Sequence, residues 1–294
     1  MAMRPHALTL ALLVCGGPAL AQGFPGDFQL WKLGNPVPTS PQADPRANGN
    51  FRVFARQLGA VITAANGAPP DTLGHSGFAV ALTTTSFDLQ GGSLPTSGTP
   101  RGPRLLPGLH VRKGLPFSFE VGVRASWVPE SRMGVGGVEV KWAILEGFQL
   151  APDLAVRGFV SKVINSRDFD LTAGGFDLGI GKQLAIAGMV TLTPYAGWSL
   201  TFVGASTGTI DFRPGRTLAD AERDPLSDTF VFSPVQATQN THNRIYGGLR
   251  FIGGHALLNV EVSYALFVPF RDATMEARTI PGVLAVNGSA GLDF

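Results

Sequence analysis

From His75 to the end of the chain, apolar and polar residues alternate with a period of two. Successive side chains on a strand point to opposite faces, so such stretches fold as strands with one apolar and one polar face. Three are unbroken. Phe117, Phe119, Val121, Val123, Ala125 and Trp127 alternate with Ser118, Glu120, Gly122, Arg124 and Ser126. Val190, Leu192, Pro194, Ala196, Trp198, Leu200 and Phe202 alternate with Thr191, Thr193, Tyr195, Gly197, Ser199 and Thr201. Leu258, Val260, Val262, Tyr264, Leu266 and Val268 alternate with Asn259, Glu261, Ser263, Ala265 and Phe267. With the turn signals between them, the pattern predicts ten strands, near 75–87, 104–113, 116–128, 132–145, 151–164, 168–182, 188–204, 241–252, 255–269 and 281–294. Gly136-Gly137 and Gly174-Gly175 interrupt the alternation, as β-bulges do.

Upstream the period changes. Phe51, Phe54, Ala55, Leu58, Val61, Ile62 and Ala65 recur at helical spacing, with Arg52, Arg56 and Gln57 mostly off the stripe. This predicts an amphipathic helix over 51–66, capped by Asn50 and ended by Asn66-Gly67. Residues 22–50 are rich in Pro, Gly and Asn and read as an irregular leader. Residues 1–21 have the form of a secretory signal peptide: Arg4, an apolar run from Ala7 to Val14, then Ala19-Leu20-Ala21 as the small-x-small site. Cys15, the one cysteine, falls inside that run, so a processed chain has neither disulfides nor thiolate metal sites.

The connections sort by length. Those near 114–115, 146–150, 183–187 and 253–254 are short, while the opposite set includes 88–103, 205–240 and 270–280. The last strand alternates Leu284, Val286, Gly288, Ala290, Leu292 and Phe294 against Asn287, Ser289 and Asp293, and stops on the aromatic. With these features the chain resembles the outer-membrane β-barrels of Gram-negative bacteria, which have short periplasmic turns and long external loops. The resemblance covers the signal peptide and 75–294. It implies an all-β transmembrane fold: an antiparallel up-and-down barrel of about ten strands, within a range of eight to twelve, preceded by the helix. It also implies an outer-membrane location, a lipid partner, and Phe294 with Leu292 as the signal read by the barrel-assembly machinery. Two other folds compete: a transmembrane helix over the uncharged stretch 184–205, broken by Pro194 and several glycines, and a secreted β-sandwich with shorter strands.

Composition fits the barrel. Hydrophobic residues make up 44% and charged residues only 15%, against about 25% in soluble proteins. The formal net charge of +2 gives no basic excess, so no nucleic-acid partner is expected. If the apolar face meets lipid, the other lines a lumen carrying His110, Arg112, Glu120, Arg124, Glu139, Lys141, Asp153, Arg157, Asp170, Asp177, Arg244, Arg250 and Glu261. These form either a structural ion-pair network or a polar path for a solute. Arg124 beside Glu120, and Arg250 across from Glu261, are the pairs to expect. Phe117, Phe251 and Phe294 at one end, and Trp127, Phe202 and Phe270 at the other, fit interface girdles.

The helix can plug the lumen, sit beneath it on the periplasmic side, or lie on the membrane surface. As a plug it would set Phe51, Phe54, Leu58 and Ile62 against an apolar wall, for which Phe159, Val163 and Phe267 are candidates. Enzyme signals are poor. The Gly175…Lys182 run lacks the required glycine and Ser/Thr of a phosphate loop, and no His-x-x-x-His or Gly-x-Ser-x-Gly occurs. Asp168, Asp170 and His242 lie near the outer rim, where omptin-type proteases place their catalytic groups, but the Asp-x-His arrangement of those enzymes is missing. No catalytic residue, cofactor or metal is expected. The expected function is a narrow channel or carrier for a small solute, a hydrophobic one included, with the helix as plug. The alternative is a non-conducting structural or adhesive barrel acting through its external loops.

Overall fold

The computed structural model describes residues 24–38, 40, 42–64, 67–89, 94–96, 104–186, 190–215, 229–272 and 274–294. The expected signal peptide, with Cys15, lies outside the described residues. Ten strands pair antiparallel in chain order: β1 (Phe78–Leu89), β2 (Leu105–Leu115), β3 (Phe119–Trp127), β4 (Gly134–Leu145), β5 (Asp153–Ile164), β6 (Phe169–Gly181), β7 (Val190–Thr207), β8 (Thr241–Gly253), β9 (Ala256–Phe267) and β10 (Val283–Asp293). β10 returns to β1, with Ala79 opposite Asp293 and Leu89 opposite Val283, and closes the sheet into a barrel. Phe294 and Phe78 exchange two backbone hydrogen bonds of 2.9 Å at the closing seam. A short strand, Leu184–Ile186, extends the β6–β7 hairpin. The described residues of the uncharged stretch, 184–186 and 190–205, are therefore strand, and the single closed sheet excludes a sandwich.

The alternation sets which face is which. Leu82, Val123, Trp142, Ile245, Val260 and Leu292 point outward and are exposed, while Glu120, Lys141, Arg157, Arg244 and Glu261 point inward and are buried. An open sheet would leave backbone groups unpaired in hydrocarbon, which closure avoids. A closed sheet with an apolar exterior and a polar interior is the architecture of bacterial outer-membrane β-barrels.

The paired glycines do not slip the register. Pairing is continuous through Gly136-Gly137 and through Gly174-Gly175, and a shift occurs instead between Ala143 and Leu145. At Gly175 the need is close approach: a Cβ there would run into the Leu200 carbonyl. Without a slip, residues 170 and 177 fall on opposite faces. Asp177 is inside, and Asp170 is outside in a surface pair with Lys162 at 2.6 Å.

The helix, α1 (Ala47–Ile62), starts a turn before the expected position. Asp44 and Pro45 begin it: the Asp44 carboxylate accepts the Arg46 N–H at 2.8 Å and its carbonyl accepts the Ala47 N–H at 3.0 Å. Asn50 is not the cap but lies inside the helix, donating to the Leu33 carbonyl and accepting from Arg278. The helix ends at Thr63, whose hydroxyl donates back to the Gly59 carbonyl at 2.8 Å.

α1 neither sits beneath the barrel nor lies on its outer surface. It stands inside the end of the barrel that carries the long connections, and so from Phe54 to Ile62 it is buried on every face. Phe54, Leu58 and Ile62 join a core with Leu106, Val135, Val163, Leu171 and Val203 of the wall. Phe51 stacks on Phe232 with ring centroids 5.0 Å apart. Arg56, off the stripe, is buried too, because its guanidinium donates to the Thr241 and Val268 carbonyls at the rim. Gly59 permits the closest contact, since a Cβ there would meet Val203 at 2.6 Å.

Truncating both Phe51 and Phe54 to alanine should loosen this seat without opening the wall. Each buried Phe→Ala change costs roughly 3–5 kcal/mol. Amide exchange in 47–62 should then rise while the strands keep their protection; equal loss in both would mean that the helix is integral to the wall.

Candidate functional site in the lumen

Below α1 the described residues 63–64 and 67–77 lie in the barrel, and the chain turns into β1 at the short-turn rim. This thread is held by the inward residues of the wall. Arg244 donates to the Thr63 carbonyl. The Asn287 amide donates to Ala64 O at 2.9 Å, and Gly67 N–H to Glu261 Oε2 at 3.3 Å. Lys141 Nζ reaches the Pro69 and Asp71 carbonyls at 3.0 and 2.7 Å. The Asp71 carboxylate takes Arg250 and, at 2.7 Å, the Gln183 amide. Glu146 accepts from the Thr72 N–H and hydroxyl, and Glu120 accepts the Leu73 N–H at 3.1 Å. At the exit a Cβ on Gly114 would collide with the Gly74 carbonyl.

The remaining inward charges pair with one another. Glu139 is the hub: His110 Nε2 lies 3.0 Å away, Arg157 Nη1 donates at 2.8 Å and Arg124 stands at 3.7 Å. Arg157 also holds Asp177, with its Nε donating at 2.7 Å. Glu120 bridges Arg112 at 3.3 Å and Lys141 at 3.1 Å. Arg157 and Arg244 flank the Phe159 ring at 5.2 and 5.9 Å. A cleft between α1 and β4–β5 leaves about 10 Å³, room for about one water.

Both expected pairs are replaced. Arg124 sits opposite His110 and near Glu139, while Glu120 sits opposite Lys141. Register, which sequence spacing does not reveal, decides this. Arg250 faces Asn259 and Thr193, neither charged, so its partner is Asp71 from the thread. Glu261 instead takes the Tyr195 hydroxyl at 3.0 Å and the Asn287 amide at 3.1 Å. His110, Arg112, Glu120, Arg124, Glu139, Lys141, Arg157, Arg244, Arg250 and Glu261 are thus all brought into the lumen, where they line occupied space.

Val163 is in the wall against the helix and Phe267 packs beside Val61, as expected of an apolar seat; Phe159 meets arginines instead. Phe270 leaves the girdle, with Arg52 over its ring at 4.3 Å. His242 is buried in the lumen beside Phe267, apart from the exterior Asp170, so the rim groups do not converge. Among the described residues no cluster of three His, Cys, Asp or Glu side chains is placed to hold a metal.

Sequence reading missed the thread. Its one signal was Asp71, which is the only Asp, Glu, Lys or Arg between Arg56 and Asp88. Also missed was a recess of about 560 Å³ at the short-turn end, lined by Asp71, Glu146, Asp153, Lys182 and Gln183 among others.

At the long-connection end the leader caps the mouth. Gly26 N–H donates to Glu130 O at 2.8 Å and Gln29 N–H to Pro95 O at 2.6 Å; Ser131 donates to Asp27 at 2.6 Å. The Phe28 ring lies 5.1 Å from Phe54. Over the helix start, Asp272 accepts from Thr274 and from Arg278, and these hydrogen bonds hold its carboxyl below the usual range.

No protein-family model matches the sequence, and no curated protein matches it. Solved structures with a similar course include the N-terminal β-barrel domain of OprF from Pseudomonas aeruginosa, at 9% identity over 75% of this chain and 99% of that one, TM-score 0.31. Others are the outer-membrane protease OmpT of Escherichia coli, at 8% identity over 74% and 93%, TM-score 0.35, and Ail, the attachment invasion locus protein of Yersinia pestis, at 11% identity over 75% and 99%, TM-score 0.26.

Replacing Asp71 with Asn should cost roughly 3–5 kcal/mol, because Arg250 is left buried without a counter-charge. Replacing the exposed Lys162 with Ala, which breaks the pair with Asp170, should cost under about 1 kcal/mol. Denaturant unfolding of the refolded barrel in lipid vesicles measures both; equal losses would show that the Asp71 contact does not hold the thread.

Proposed function

We propose that this outer-membrane barrel is sealed at rest and acts through its long-connection face, as a non-conducting scaffold. The observation that carries this reading is the double occupancy of the lumen. A packed helix fills one half, and a hydrogen-bonded thread with paired charges fills the other. A ten-stranded barrel has little interior beyond its own side chains, and here the chain takes up that space. The wall charges are then fixtures for the thread and not steps on a solute path. The leader and the described parts of the connections, 208–215, 229–240, 268–272 and 274–282, together build the surface that meets a partner.

A second reading, the plugged channel or carrier, is favoured by the recess at the short-turn end, where a small polar solute could wait below the thread. In that case α1 and the thread would have to leave. Planar-bilayer recording separates the two, once a heat-dependent gel shift has shown that the barrel is folded. The full chain should give no discrete openings under voltage, and deletion of 24–76, which removes both the helix and the thread, should create them. Spontaneous openings of the full chain would contradict the sealed scaffold and favour the carrier.

A further inference from the structure

The direction of the thread has a consequence of its own. β1 begins at the short-turn rim, yet the described residues before it run the other way: 77–67 and 64–63 ascend the lumen, α1 fills the opposite half, and the described residues of 24–46 lie across the far mouth. The wall grips the thread from opposite sides, through Glu120 and Lys141 of β3 and β4 and through Arg244, Arg250, Glu261 and Asn287 of β8, β9 and β10. The segment is therefore enclosed and not laid along an outer groove. At the mouth it is woven into four connections of that end, by Pro95, by Glu130, by Ser233, which donates to Asn48, and by Glu276, which pairs with Arg46 at 3.5 Å.

We propose that the barrel carries its own N-terminal segment through its lumen and displays residues 24–46 on the outer face of the membrane. The lumen is graded for this cargo. Apolar wall residues meet the phenylalanines of α1, and charged and amide side chains meet the bare backbone of 63–64 and 67–73, whose carbonyls and N–H groups would otherwise be buried unpaired. The external position of the segment follows from the orientation of the long connections, which the sealed-scaffold reading shares; whether the barrel conducts does not enter.

Single cysteines test this in a Cys15→Ala background, with the full chain expressed in a Gram-negative host. Gln42→Cys reports on the leader, Val231→Cys on a long connection and Gln149→Cys on a short turn; all three positions are exposed. The probe is a polymer-linked maleimide too large to pass porins, and a gel shift shows that each variant folds. Labelling of 42 and 231 on intact cells, with 149 labelled only after the outer membrane is permeabilised, is the expected result. Labelling of 231 but not 42 on intact cells would place the leader in the periplasm and overturn the threading alone. Labelling of 149 but not 231 would invert the barrel and overturn both this inference and the sealed-scaffold reading.

Discussion

A closed sheet in a membrane solves one problem and creates another. Closure pairs every backbone group of the wall, but it turns the polar face of each strand into a narrow space shielded from bulk water. Charges there must find partners or carry a large desolvation penalty. In this barrel the wall alone does not satisfy that demand. Arg250 has uncharged cross-strand neighbours, and Lys141 and Glu120 have capacity beyond each other and Arg112. The chain completes the set with its own upstream segment, through the Asp71 carboxylate and the peptide groups of Asp71 and Leu73. The other features follow from that completion: the buried helix, the capped mouth and the closed lumen.

The two halves of the lumen match two stretches of the same chain. Above, Val163, Leu171, Ala173 and Val203 line the wall, and an amphipathic helix supplies Phe54, Leu58 and Ile62. Below, the wall is ionic and the segment is extended, with unpaired backbone to offer. Exchanging the two stretches would strand phenylalanines among charges and bare peptide groups among aliphatic side chains. The order helix, then thread, then strand is therefore fixed by the grading of the wall as well as by connectivity.

The wall was legible because a period of two is written locally, residue by residue. Ten strand positions and the inward set from His110 to Glu261, apart from Asp170, could be read without knowing any contact. The helix was legible for the same reason, at a different period. Partner choice was not, because it depends on register: Glu120 meets Lys141 through the β3–β4 alignment, and Arg124 meets Glu139 for the same cause. The path of the thread was illegible because 67–77 carries no periodicity at all. The leader hid in the same way: its Pro, Gly and Asn content masked Phe28 and Leu30, which are buried at the mouth.

The central claim is that α1 resides inside the barrel wall. Gly59 and Val203 face each other across that contact, with a Cβ on Gly59 falling 3.3 Å from the Val203 Cβ, near the span of a disulfide. A Gly59→Cys/Val203→Cys double variant, made without Cys15 and oxidised in the membrane, tests it directly. The account predicts a cross-link that forms in the folded barrel and is seen as a reducible mass and mobility change. Two thiols that stay free and both react with maleimide in a folded barrel would contradict it.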